Sequence, residues 1–231
     1  MFRKTTSVIL SVIMILCFAG CKQDKKENDS NKREDKYSVK YSKDIPVTIR
    51  NDGVAVFDNG TVSYSWDTNE WNYELKNGLP VVYKNYNGLR YSFAVFAYND
   101  GMVDDLSKYA LNSTAKFWGK TSDDMLGKMS AGGPTDKFSS MGCSTFRTGF
   151  AIIDYHSENS TYDKIGVVYS LSNVKHSAVI SVYAEGTSNA IKKLDEENYA
   201  GGIDNGIIIK PAEDIIESFS LKNQSLSCGG A

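Results

Sequence analysis

From about residue 45 onward, apolar and polar residues alternate in short runs broken by turn pairs, the pattern of half-buried strands. Residues 45–50 alternate up to Asn51-Asp52-Gly53, residues 54–57 up to Asp58-Asn59-Gly60, and residues 61–66 follow. Asp-Gly and Asn-Gly pairs tolerate the positive φ angles of tight hairpins. Further strands are predicted over 79–85 and 89–98 across Asn87-Gly88, giving an antiparallel meander. The period then changes. Val103, Leu106, Tyr109, Ala110, Ser113 and Phe117 recur at helical spacing, with Gly119 as a stop. Ser122 reads as the N-cap of a shorter helix with Asp123 and Asp124 in its first turn, ended by the loop at 130–135. Strands resume over 144–155, 164–170 and 177–184. Ser188 opens a helix running to 198, residues 206–209 read as a strand, and Pro211 starts a last helix with Ile215, Ile216 and Phe219 facing inward. The expected fold is α+β: an antiparallel β-sheet flanked by a few helices.

The N-terminus follows a different logic. Arg3 and Lys4 precede an uncharged stretch from 5 to 20 with an apolar centre, closing on Phe18-Ala19-Gly20 before Cys21. A basic start, apolar middle and small residues before a cut describe a secretion signal. The F-A-G-C junction resembles a bacterial lipobox, with Phe18 where Leu is common. That resemblance implies diacylglycerol on the Cys21 thiol and loss of residues 1–20. An uncleaved anchor is the alternative, but the apolar centre is short against the roughly 20 residues a bilayer span needs. Two acyl chains hold a protein stably where one does not. Residues 22–36 contain no apolar side chain, so they cannot offset their ordering entropy and are expected to be a disordered tether. The domain expectation is therefore signal peptide 1–20, lipidated Cys21 and tether to 36, and a single domain over 37–231. Its expected location is extracytoplasmic, lipid-anchored to the bacterial cell membrane.

The order of elements, together with S-Y-S-W-D-T-N-E-W at 63–71, R-Y-S-F-A-V-F-A-Y-N-D-G-M-V-D-D-L-S-K-Y-A at 90–110 and P-A-E-D-I-I-E-S-F at 211–219, resembles the PsbP/Mog1 superfamily and its bacterial lipoprotein relatives. The resemblance implies an antiparallel sheet flanked by helices and a mostly non-enzymatic scaffold, assembly or envelope role.

Charge narrows the partners. With 26 basic and 28 acidic residues the chain lacks the dense basic patch that phosphate binding needs, so nucleic acid is not an expected partner. Cys143 and Cys228 are either a disulfide, permitted outside the cytoplasm, or two unrelated thiols.

Catalytic patterns are incomplete. His156 and His176 are the two histidines; Asp154 and His156 share a strand face, but H-E-x-x-H and C-x-x-C are missing. Asp67, Asn69 and Glu70 lack the EF-hand order. G-x-S-x-G is absent, and the S-x-x-K pairs at Ser113 and Ser172 lack their companion motifs. Cys143 with His156 is a conceivable dyad only if an orienting third group joins them in space. Gly119-Lys120-Thr121 ends like a phosphate loop, but Thr114 stands where the first Gly belongs. No catalysis, cofactor or metal is expected. Trp66, Trp71, Tyr73, Tyr83 and Tyr86 gather around the meander, as core or as a candidate ligand-binding sheet face. The expectation is a binding or structural module anchored through Cys21, with an envelope protein or glycan as partner. A glycan or small-ligand binder using the aromatic sheet, or a cryptic envelope hydrolase, are the alternatives.

Overall fold

Two antiparallel sheets, rather than one, organise the chain in this computed structural model, which describes residues 40–41, 47–130, 132–156, 159–200 and 206–222. The first sheet holds β1 (Lys40–Tyr41), β2 (Val47–Ile49), β3 (Val54–Asp58), β4 (Val62–Asp67) and, far along the chain, β12 (Ser220–Leu221). The second contains β5 (Asn72–Lys76), β6 (Leu79–Tyr86), β7 (Leu89–Asp100), β8 (Gly133–Pro134), β9 (Ser144–His156), β10 (Asn159–Ser172) and β11 (His176–Glu185), in the order β5-β6-β7-β11-β10-β9-β8. The predicted meander is split at the turn between β4 and β5. There Asp67 Oδ1 accepts from the Asn69 amide at 2.8 Å, and the Asp67 carbonyl accepts from the Trp71 amide at 2.9 Å. An Asx turn of this kind redirects the backbone without a glycine.

Hairpin chemistry sets the register. Asn77-Gly78 and Asn87-Gly88 both have positive φ at each residue and join strands that pair immediately on either side, Lys76 with Leu79 and Tyr86 with Leu89. Two successive positive φ values are the signature of the type I′ turn, whose twist matches that of the strands.

The helices are α1 (Leu106–Phe117), α2 (Ser122–Leu126), α3 (Ser188–Ala200) and α4 (Glu213–Ser218), with 3-10 turns at Ser139–Met141 and Lys210–Ala212. Two sequence expectations change. Thr121, not Ser122, caps α2, in a capping box where Thr121 and Asp124 bond reciprocally. Residues 206–209 form a turn rather than a strand, because Gly206 takes positive φ and its carbonyl accepts from the amides of Ile209 and Lys210.

The second sheet is buried on both faces, which explains the unbroken apolar runs in β7 and β11. One face presents Phe93, Val95, Ile180, Val182, Val167 and Leu171 to Phe57, Tyr64 and Trp66 of the first sheet and to Ile191, Ile215 and Phe219 of the helices. The opposite face presents Phe96, Val179, Phe150 and Tyr183 to Ala110, Ala115, Phe117 and Met125. Where α1 approaches, the sheet carries small residues: Ser92, Ser170 and Ser181 are fully buried, and Ser170 Oγ donates to the Leu106 carbonyl at 2.6 Å. Gly166 is required in this layer, since a Cβ there would meet the Phe150 ring at 2.5 Å and Tyr183 Cβ at 2.7 Å. A bulge in β7 between the pairs Val179–Ala97 and Ile180–Val95 inserts Phe96, so that Phe96 and Ala97 both serve the helix-facing core.

Tyr64 joins the two sheets. Its ring lies 5.2 Å from Phe57, 5.8 Å from Trp66 and 4.9 Å from Phe93, and its hydroxyl donates to the Pro80 carbonyl at 2.9 Å. Burial pushes its phenol well above the usual range, so it remains a neutral donor. Tyr64→Phe leaves the Pro80 carbonyl without this donor and should cost about 1–3 kcal/mol. Phe93→Ala should cost about 3–5 kcal/mol. Urea unfolding measures both, and a Phe93→Ala loss below the Tyr64→Phe loss would contradict this placement.

Lys222, just after β12, is tied back to the first sheet. Lys222 Nζ contacts the Asp58 carboxylate at 2.6 and 2.7 Å, and the Lys222 amide donates to the Thr61 carbonyl at 2.9 Å. Burial raises the Asp58 carboxyl, but Lys222 and the Gly60 amide outweigh it and hold the group below its ordinary value of 3.8. A carboxyl lowered on folding adds stability above its unfolded pKa, and that stability is lost as pH falls through the folded value. Lys222→Ala should therefore flatten the stability profile below about pH 4. At neutral pH it should cost well under about 1 kcal/mol, because the pair is solvent-screened.

Candidate functional site

The five aromatics singled out in the sequence do not form one platform. Trp66 and Trp71 are 3% exposed and belong to the core between the sheets, with Tyr73 packed edge-on against Trp66 at 5.5 Å. Strand alternation turns Tyr83 to the helix-facing side, where the Arg90 guanidinium lies 3.7 Å from its ring centre. Tyr86 alone of the five is open to solvent, at 52%.

Tyr86 stands in a cleft of about 670 Å³ at the β6–β7 end of the second sheet, within the range that holds small ligands. Three segments build it. The hairpin supplies Lys84, Tyr86, Asn87, Leu89 and Tyr91; α3 supplies Ala190, Lys193, Leu194 and Glu197, residues at helical spacing on one face; and the turn before α4 with the first turn of α4 supplies Ile207, Lys210, Pro211 and Asp214. Tyr86 and Tyr91 meet edge to face at 6.2 Å. The floor is apolar and the rim carries both signs of charge.

Tyr91 is the informative member. Its ring is buried, while its hydroxyl makes no hydrogen bond among the described residues and opens to the cleft rather than into the core. Burial, reinforced by Tyr86 and Glu197, pushes its phenol up, so the group remains a neutral donor and acceptor at the cleft.

A second groove, of about 960 Å³, runs past Asp104, Asp105, Asp136, Cys143 and Thr145. Asp105 is already committed as N-cap of α1, accepting from the Lys108 amide at 2.9 Å. On the opposite face of the sheet, Arg90 reaches Glu74 at 2.7 Å and Lys164 reaches Glu185 at 2.9 Å. Lys76 lies over the Trp118 ring at 3.9 Å. Burial and the Lys164 charge push the Lys76 ammonium down, against Glu185 and Glu74, and the contact holds the C-terminal end of α1 on the sheet.

The nucleophile candidates take structural places. Ser113 is buried on the sheet-facing side of α1. Ser172 Oγ accepts from the Val103 amide at 2.9 Å and shares a hydrogen bond with Ser177 Oγ, also at 2.9 Å. Asp67 and Asn69 spend their groups on the turn after β4, and Glu70 pairs with Lys84 at 3.2 Å. The side chains of Asp154 and His156 fall outside the described ones, so the Cys143–His156 dyad is not placed. Cys228 and Cys21 likewise lie outside the described residues. His176 pairs with Asp100 at 3.1 Å at the sheet's end. Among the described residues no cluster of three or more His, Cys, Asp or Glu gathers with metal-binding geometry.

Sequence reasoning missed Tyr91, the α3 face and the Lys210–Asp214 segment. The signal for α3 was available, since Ala190, Lys193, Leu194 and Glu197 recur at three, four and seven residues. Its partner surfaces lie far away in the chain. No protein-family model and no curated protein matches the chain.

Cys143 is a buried thiol whose Sγ donates to the Met141 carbonyl at 3.7 Å, and burial pushes it upward, with the neighbouring Asn173 side chain pulling the other way. A raised thiol is a poor nucleophile, because the thiolate is the reactive form. Mass spectrometry of the Cys143 peptide should find it unalkylated by iodoacetamide in the native protein and alkylated in guanidinium without reductant. A requirement for reductant would instead mark a disulfide with Cys228.

Proposed function

We propose that the protein is a lipid-anchored cell-envelope protein whose folded part is a non-catalytic binding module, with the Tyr86–Tyr91 cleft as its ligand site. The cleft carries the reading: an exposed aromatic ring beside a tyrosine whose ring is buried and whose hydroxyl reaches the cleft without a hydrogen-bond partner among the described residues, framed by three separate segments. Concave sites with an apolar floor and a few convergent polar groups are the usual form of ligand pockets. Two further observations support the non-catalytic part. The Cys143 thiol is raised by burial, and the Ser172 hydroxyl is tied into backbone and side-chain hydrogen bonds.

The F-A-G-C junction supports anchoring through acylated Cys21, with residues 22–36 as the spacer between membrane and module. Among the described residues no helix is long and apolar enough to cross a membrane. Antiparallel sheets packed with a few helices, and a segment 211–219 that buries Ile215, Ile216 and Phe219, support assignment to the PsbP/Mog1-like group.

Cys21→Ser should move the protein from the membrane fraction to the soluble fraction or leave an unprocessed precursor, while far-UV circular dichroism stays unchanged. Metabolic labelling with palmitate should disappear in that variant. Persistent labelling and membrane retention would refute the anchor.

A further inference from the structure

Resting on that reading, we infer that the Tyr86–Tyr91 cleft takes a short uncharged glycan, with a sugar ring stacked on Tyr86 and its hydroxyls shared between Tyr91, Asn87 and the charged rim. Charge balance selects this class. Lys84, Lys193 and Lys210 face Glu197 and Asp214 around one opening, so an anion meets carboxylates and a cation meets ammonium groups. A polyhydroxyl ligand has no net charge, and each of its hydroxyls both donates and accepts. Ammonium groups can only donate and carboxylates only accept, so a rim of both signs satisfies it from either side.

The apolar part of the cleft fits the same ligand. A sugar ring has a C–H face and a hydroxyl edge. The exposed face of Tyr86 offers the apolar surface for the first, while Leu89, Leu194 and Pro211 dry the floor beneath. An extended aliphatic chain would leave the Tyr91 hydroxyl unpaired under it, at the cost that a buried unsatisfied group carries. A glycan hydroxyl supplies the missing partner. Asn87, held at positive φ in the type I′ turn, fixes the mouth of the cleft beside Tyr86, so the stacking ring and its polar neighbour are placed by a rigid hairpin.

The test uses the processed full-length protein in a detergent without a sugar headgroup. Isothermal titration with cellobiose, maltose and N,N′-diacetylchitobiose at up to about 10 mM should give binding by at least one, in the weak range expected of a small neutral ligand. Tyr86→Ala should weaken that binding about tenfold. Tyr91→Phe should weaken it severalfold with the melting temperature held, since the hydroxyl makes no hydrogen bond among the described residues. Tyr98→Ala, an exposed aromatic outside the cleft, should leave it unchanged. Benzoate serves as the anionic probe. Benzoate binding lost in Tyr86→Ala, with no sugar bound, would overturn the glycan class and keep the cleft as a ligand site. No binding by any probe, or sugar binding indifferent to Tyr86→Ala, would overturn this inference, and the former would also remove the cleft from the proposed function.

Discussion

The Tyr64 side chain fixes the relation between the two sheets on which the rest of the structure depends. Its ring fills the space between β4 and β7 against Phe93, and its hydroxyl reaches the Pro80 carbonyl of β6. A hydrophobic contact alone lets sheets slide, because burial is non-directional. One hydrogen bond from a fully buried phenol removes that freedom, since any slippage strands a donor and an acceptor away from water. With the sheets registered, Phe93 can receive Phe219 at 6.5 Å, and Phe138 completes the seam at 6.0 Å from Phe219. The chain's last elements then close the edge of β4: β12 pairs with Val62 and Ser63, and Ser218 Oγ accepts from the Ser65 amide at 2.9 Å. Covering this edge matters because exposed strand edges invite pairing with other chains.

The two faces of the second sheet solve different packing problems. Toward the first sheet, large rings fill the gap between two pleated surfaces. Toward α1, serines and Gly166 let the helix backbone come close enough for Ser170 to bond the Leu106 carbonyl, while the bulk moves to the periphery in the stack of Phe96 on Phe117 at 4.0 Å. The serines are buried without penalty where they bond locally, as Ser181 does to the Val167 carbonyl at 2.9 Å.

Most strands were legible because a period of two survives wherever one face is solvated, as in β3 and β4. The Asn-Gly turns and the helical spacing from Leu106 to Phe117 were equally direct. What failed had physical causes. β5 reads Asn-Tyr-Glu-Leu-Lys, an edge strand with little burial, and its pairing comes from the Asn77-Gly78 turn rather than from its own pattern. Residues 206–209 are apolar because they line the core as a turn, and composition cannot separate that from a strand. The pairing of Tyr73 with Val82 turns Tyr73 and Tyr83 to opposite faces, a register that alternation within either strand does not reveal. So the aromatic list contained Tyr86 but could not single it out, and Tyr91 entered only when α3 was placed beside it.

The cleft follows from a mismatch between layers. No residue of the first sheet lines it, so the face of β6 and β7 that Tyr64 and Trp66 cover further along is left to α3 and the Lys210–Asp214 segment at this end. Those two elements meet the sheet through Leu194, Ile208 and Ala212, which are buried, and so the walls are held by the core. A site built this way is pre-organised: Tyr86 sits on a tight hairpin, Tyr91 is locked beneath it, and the rim charges ride on β6 and on helical turns. Binding then orders few groups, and loss of side-chain and loop freedom is a main cost that weak small ligands must overcome. The same construction restricts what can bind, since a wall anchored in the core cannot open for a larger ligand without disturbing Ile208 and Leu194.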